Sequence, residues 1–264
     1  MSNKDRQQRA ARAEQMRKER EKAARRQRNL ITAVIVVIVA ALIGLAAWGV
    51  SSSTKENKPK AWSVTYTPED AGGTVAEGYE PVVVELYEDF QCPACQSLET
   101  LYGEQLEALV ASGDITLKYH PYSFLDDRGG STNEYSRRST NAAICIYEEY
   151  GAAAYVQFHD YLYANQPAEG TAGPEDAELV SAAESLGFTG IADCVTEHTY
   201  FKRVERAKEA GVERGVSATP TIYVDGKQVE DKATLLDQIN ALVAERKGTE
   251  VPATTDPAAV VPAG

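Results

Sequence analysis

Residues Pro81 to Val110, PVVVELYEDFQCPACQSLETLYGEQLEALV, leave the chain few folds to choose from. The first third is a dense run of branched apolar residues, the pattern of a strand covered on both faces of its sheet. After a short loop, Cys92-Pro93-Ala94-Cys95 opens a segment in which Leu98, Leu101, Leu106 and Leu109 fall near helical spacing. Both thiols therefore lie at or just inside a helix N-terminus. Free backbone N–H groups and the positive end of the helix dipole favour a thiolate there, and Pro93 at an early helical position leaves no intrahelical bond unmade. Cys92 is expected to be the low-pKa nucleophile, with Cys95 one turn behind it.

Four residues do not by themselves separate redox chemistry from metal or haem binding. Zinc needs four ligands, and the chain has no second CxxC; its His residues, His120, His159 and His198, are scattered singly. Haem attachment needs a His directly after the second Cys, where this chain has Gln96. The strand-then-helix context favours redox chemistry, with no metal and no other cofactor expected.

Charge is distributed in blocks. Residues 1–29 hold 11 Lys/Arg against 4 Asp/Glu, residues 30–50 hold no charge, and residues 51–264 hold 16 Lys/Arg against 35 Asp/Glu. Leu30 to Val50 is an unbroken apolar or small run, about 30 Å long as a helix, which matches a bilayer core. A transmembrane helix over 30–50 is expected, with Trp48 near its outer end. The basic head 1–29 places the N-terminus in the cytoplasm by the positive-inside rule, so the rest is expected outside the cell membrane. A cleaved signal peptide is the competing reading, though its basic and apolar regions are normally shorter. The acidic body argues against nucleic acid as a partner. An extracytoplasmic compartment permits disulfides, and Cys92, Cys95, Cys145 and Cys194 all fall in that part.

Residues 51–79 read as a stalk, with a short strand near Trp62–Tyr66. The domain spans 80–247. After the first strand and helix, Ile115–His120 alternates as a second strand, parallel to the first through a right-handed crossover. A helical insertion over about 126–212 follows, with helices expected at Asn133–Tyr150, Ala152–Ala164, Pro174–Leu186, Gly190–Thr196 and Tyr200–Glu213. Its aromatics, Tyr147, Tyr150, Tyr155, Phe158, Tyr161 and Tyr163, read as packing residues. Thr221–Val224 resumes the sheet, Asp225-Gly226 forms a type I′ turn, Gln228–Glu230 is a short edge strand, and Lys232–Arg246 is a closing helix. Residues 248–264, rich in Pro, Ala and Thr, read as a disordered tail.

The order is thus α/β: β-α-β, a helical insertion, then β-β-α. With CPAC at 92–95 and SATPTIYVDGK at 217–227, the chain resembles the thioredoxin fold in its DsbA-like form, the extracytoplasmic protein disulfide oxidoreductases. The resemblance implies a cis bond before Pro220, with Thr219 offering its backbone to a substrate peptide beside Cys92 and Cys95. It implies dithiol–disulfide exchange that introduces disulfides into reduced, unfolded secreted proteins, and a DsbB-like or vitamin K epoxide reductase-like membrane partner that reoxidises the pair. It also points to Glu85, inside VVVELY, as a buried carboxylate of raised pKa that relays the proton of Cys95. Glu88 and Asp89, in the following loop, are expected to be solvated. The Pro93-Ala94 dipeptide departs from the most oxidising members, having no His beside Cys92, so the potential is expected to be less oxidising than theirs.

Cys145 and Cys194 fall in the insertion and are expected to form a structural disulfide; a second redox-active pair is the rival. A monomer is expected. A reductant or isomerase of the same fold, or a binding module of chaperone type with an inert CxxC, are the other functional readings.

Overall fold

The computed structural model describes residues 62–248 and, before them, only Lys22. The expected membrane span at 30–50, the first part of the stalk, the tail and the basic head apart from Lys22 lie outside the described residues. Among the described residues no helix is long and apolar enough to cross a membrane.

A five-stranded mixed sheet carries the domain, formed by β1 (Val64–Tyr66), β2 (Val82–Glu88), β3 (Ile115–Pro121), β4 (Thr221–Val224) and β5 (Lys227–Gln228) in the order β1-β3-β2-β4-β5. β2 and β3 are parallel, as the crossover requires, and Leu86 stands opposite Tyr119. β4 returns antiparallel on the other side of β2, so Tyr87 lies beside Thr221 and the pieces before and after the insertion meet at the centre of the sheet. β1, in the middle of the expected stalk, pairs antiparallel with β3, so this part of the expected stalk belongs to the sheet. Asp225 and Gly226 both take positive φ, 47° and 76°, the backbone that a two-residue hairpin between right-twisted strands demands.

β2 is followed by a bent helix. Its first part, α1 (Pro93–Leu98), passes through a π-helical segment, Glu99–Gly103, into α2 (Glu104–Ala111). The sequence pattern suggested one uninterrupted helix here. Between β3 and β4 come α3 (Tyr135–Tyr150), α4 (Ala152–Ala164), α5 (Asp176–Ser185), α6 (Ala192–Thr196) and α7 (Phe201–Arg214); α8 (Leu235–Lys247) closes the chain. Gly151 separates α3 from α4, as its spacing suggested.

Strand alternation sorts β2 into two faces. Val82, Val84, Leu86 and Glu88 point into the main core with Leu98, Leu106 and Val110 of the bent helix, while Val83, Glu85 and Tyr87 point the other way. The insertion aromatics pack as expected: Tyr155, Phe158 and Tyr163 are buried, and Tyr147 and Tyr161 lie against the core, but Tyr150 is 41% exposed. Cys145 on α3 and Cys194 on α6 are joined, with Cα atoms 6.0 Å apart.

Candidate active site

The site begins where β2 stops. The turn from Glu88 to Cys92 is held from inside by Asp89, which is 1% exposed. Its Oδ1 accepts from the Gln91 N–H at 2.8 Å and the Ser136 hydroxyl at 2.6 Å; its Oδ2 accepts from the Phe124 and Leu125 N–H groups at 2.7 and 2.9 Å. One side chain thus ties the loop before Cys92 to the loop after β3 and to α3. Burial pushes its carboxyl up to about 6, against these four donors. The expectation that Glu88 and Asp89 are solvated is corrected: Glu88 is 4% exposed, because it ends the inward-facing row of β2.

Cys92 caps α1 and Pro93 takes the first helical position, where its missing N–H costs nothing. The Cys92 carbonyl accepts from Cys95 N at 3.0 Å, Gln96 N at 3.1 Å and Gln166 Nε2 at 3.0 Å, so the turn is braced from the insertion as well. Pro93 and Ala94 are exposed, Cys92 is 7% exposed, and Cys95 is completely buried. Both are free thiols. The Thr219-Pro220 bond is cis, and the Thr219 carbonyl accepts from Cys92 Sγ at 3.5 Å. The structure therefore brings together Cys92, Cys95, Thr219 and Pro220 from segments more than 120 residues apart.

The two thiols differ in acidity. A hydrogen bond from Cys95 is the main reason that Cys92 is lowered to about 6; the Thr219 side chain and the Cys95 and Ala94 N–H groups add to it and together outweigh burial. Thr219 Oγ1 is buried and has no hydrogen-bond partner among the described residues. Burial raises Cys95 well above an ordinary thiol, reinforced by the Cys92 thiolate and by Glu88. The sequence pattern assigned the stabilisation of Cys92 to the helix terminus alone; the Cys95 and Thr219 side chains share it.

A lowered acid titrates early. Alkylation of the reduced protein by iodoacetamide is expected at Cys92 alone, half-maximal near pH 6, with Cys95 unlabelled through neutral pH. The same shift stabilises the reduced fold, fully above the ordinary thiol value of about 9 and progressively less as pH falls through about 6. A single labelling transition near pH 9 would refute the assignment.

Glu85 is elsewhere. It lies on the opposite face of β2 from Glu88, where Arg214 of α7 clamps both its oxygens at 2.6 and 2.8 Å and His120 Nε2 stands 3.1 Å away. The guanidinium holds its carboxyl well below the usual carboxylate range. The expected raised pKa is thus corrected, because Glu85 stands three places before the inward-facing Glu88 on an alternating strand and so lies on the other face of the sheet. The acidic residue that acts on Cys95 is Glu88.

Glu88 belongs to a buried group that the sequence pattern did not reveal. Its Oε2 is 3.4 Å from Nε2 of His159 on α4, whose Nδ1 lies 3.1 Å from Asp160 Oδ1. Burial alone lowers His159, but the Asp160 and Glu88 carboxylates prevail and raise it to about 10. Burial, reinforced by Glu88, raises Glu99 of the π segment well above the carboxylate range. The available signal was weak: three chemistry-bearing residues scattered over 72 positions, none in a motif.

The family model described as Thioredoxin matches residues 75–244, more than half of the chain. The reduced form of DsbG from Mycobacterium tuberculosis superposes with a TM-score of 0.60 at 30% identity, over 76% of this chain and 95% of that one. Oxidized Mtb DsbA gives a TM-score of 0.59 at 30% identity, over 72% and 95%. The serine/threonine-protein kinase PknE of Mycobacterium tuberculosis is 28% identical over 166 residues, 60% of this chain but only 29% of the kinase's length. The family-model match spans Cys92, Cys95 and Pro220, and the chain belongs to the thioredoxin family, in its DsbA-like form.

Proposed function

We propose that the chain is a membrane-tethered, extracytoplasmic thiol–disulfide oxidoreductase that introduces disulfide bonds into reduced, unfolded secreted proteins. The observation that carries this reading is the unequal pair: a Cys92 thiol lowered to about 6 beside a Cys95 thiol that is buried and raised. A pair of this kind is more stable reduced than an ordinary dithiol, and that is the property of an oxidant.

In the oxidised state a substrate thiolate attacks Cys92 Sγ, and the Cys92–Cys95 bond breaks. Cys95 leaves with the electron pair and takes up a proton, as its raised pKa dictates. The second substrate thiolate then attacks the substrate sulfur of the mixed disulfide and expels Cys92 as a thiolate. The substrate has lost two electrons and gained a disulfide; the enzyme holds one thiolate and one thiol. Cys92 is the better leaving group, so the disulfide passes outward. The Thr219 backbone, against Cys92, gives an extended peptide a strand-like neighbour at the reacting sulfur. The reading then assigns the 30–50 segment as a tether and reoxidation to a DsbB-like or vitamin K epoxide reductase-like membrane protein.

Equilibration of the Cys92–Cys95 pair with glutathione tests the direction of transfer. The expected potential lies above about −220 mV and below the value of about −120 mV reached by DsbA, since no His supports Cys92. A potential near the thioredoxin value of about −270 mV would make the protein a reductant and overturn the proposal.

A further inference from the structure

We propose that Glu88, Glu99 and His159 form a binding site for one divalent transition-metal cation of the Zn2+ type, buried behind the thiol pair. One donor atom from each of the three lies within 4.8 Å of the other two. They come from three elements, β2, the π segment and α4, so a bound ion would brace the strand, the bent helix and the insertion together.

The imidazole is already set as a ligand. His159 is 1% exposed; its Nδ1 faces the Asp160 carboxylate at 3.1 Å, which leaves Nε2 directed at Glu88. A carboxylate behind the far ring nitrogen is the arrangement that orients metal-binding histidines. The carboxylates are incompletely satisfied. Among the described residues, Glu88 Oε1 and Glu99 Oε1 are buried and have no hydrogen-bond partner. A buried oxygen without a partner is costly, and a cation supplies what no donor among the described residues supplies.

Room for the third ligand is built into the helix. The π-helical turn interrupts α1 and α2 at Glu99, and Gly103 leaves the space that its carboxylate uses: a Cβ at 103 would stand 2.8 Å from Glu99 Oε2. A cleft of about 530 Å³, lined by Glu99, Gly103, Glu107 and Asp160 among others, opens at this point. It gives an ion a way in and a water molecule the fourth position. Two carboxylate oxygens and one imidazole nitrogen suit Zn2+ in a four-coordinate site; Ca2+ and Mg2+ ask for six or more oxygens.

This site does not depend on the redox reading. The test uses the untagged full chain with Cys92–Cys95 oxidised, so that no thiol takes up the ion, titrated calorimetrically with ZnCl2 and checked for retained zinc after gel filtration. One equivalent is expected. Glu99→Gln and His159→Gln should each weaken it by about a hundredfold or more, and Asp160→Asn by about ten- to a hundredfold. Gly103→Ala should weaken it with every donor still present, which separates a geometric site from loose attraction to acidic residues. Should His159→Gln fail to fold, Glu99→Gln and Gly103→Ala decide. Zinc uptake that is absent, or equal in wild type and Glu99→Gln, overturns the proposal; so does equal affinity for Ca2+ or Mg2+.

Discussion

Replacing Cys92 with Ser is expected to reduce oxidation of a dithiol peptide to the uncatalysed background, a loss of about three orders of magnitude or more, the scale on which removal of a nucleophile falls. Cys95→Ser should behave differently. Cys92 is 7% exposed and rests against the Thr219 carbonyl, whereas Cys95 is fully buried, so only the first sulfur meets a substrate. Without Cys95 no internal disulfide forms, but the Cys92 thiolate still attacks glutathione disulfide or a disulfide-bonded peptide. It is then left as a mixed disulfide, because the thiol that would expel it is absent. In Cys95→Ala, which removes the main hydrogen-bond donor to Cys92, that thiol should also titrate higher than about 6. Mass spectrometry reads the adduct directly: a stable single adduct on Cys95→Ser and none on Cys92→Ser. Turnover in Cys92→Ser, or an adduct carried by Cys95, would contradict the assigned roles.

What the sequence makes legible follows from the range of the interactions involved. The placement of CPAC rests on local features, an apolar run, a short loop and a Pro at the first helical turn, and the structure has Cys92 at the N-cap with Pro93 next to it. Ala152–Ala164 is bounded by Gly151 and stands at the expected limits. The β4–β5 turn is carried by Asp225-Gly226, a local signal, although the edge strand is Lys227–Gln228, one residue earlier and shorter than Gln228–Glu230. Long-range placement was not legible. VVVELY has no polar-apolar alternation to show which way Glu85 points; its partner Arg214 is 129 positions away. Asp89 looks like a loop acid until its donors arrive from residues 124, 125 and 136. The π turn at Glu99–Gly103 carries no Pro to announce it, and the effect is to place Glu99 beside Glu88 and His159. The fold was therefore readable wherever periodicity and punctuation act within one element; the charges behind the thiols were not, because tertiary contacts decide them.

Loss of the Cys145–Cys194 cross-link is expected to cost stability while leaving exchange chemistry in place. The bond joins α3 to α6 across 49 residues, and loop-closure entropy for that span gives about 4 kcal/mol as an upper value. For a domain of this size the double variant Cys145→Ala/Cys194→Ala should melt roughly 8 to 16 °C lower. Cys145 is 3% exposed, so Ala is the substitution that avoids burying an unpaired hydroxyl. The bond links two helices of the insertion, whereas Cys92 and Cys95 stand at the start of α1. Differential alkylation after mild reduction should find Cys92–Cys95 open and Cys145–Cys194 closed, and the double variant should oxidise peptide at the wild-type rate below its melting range. A variant that keeps its melting temperature but loses turnover would show the opposite, that this pair carries electrons.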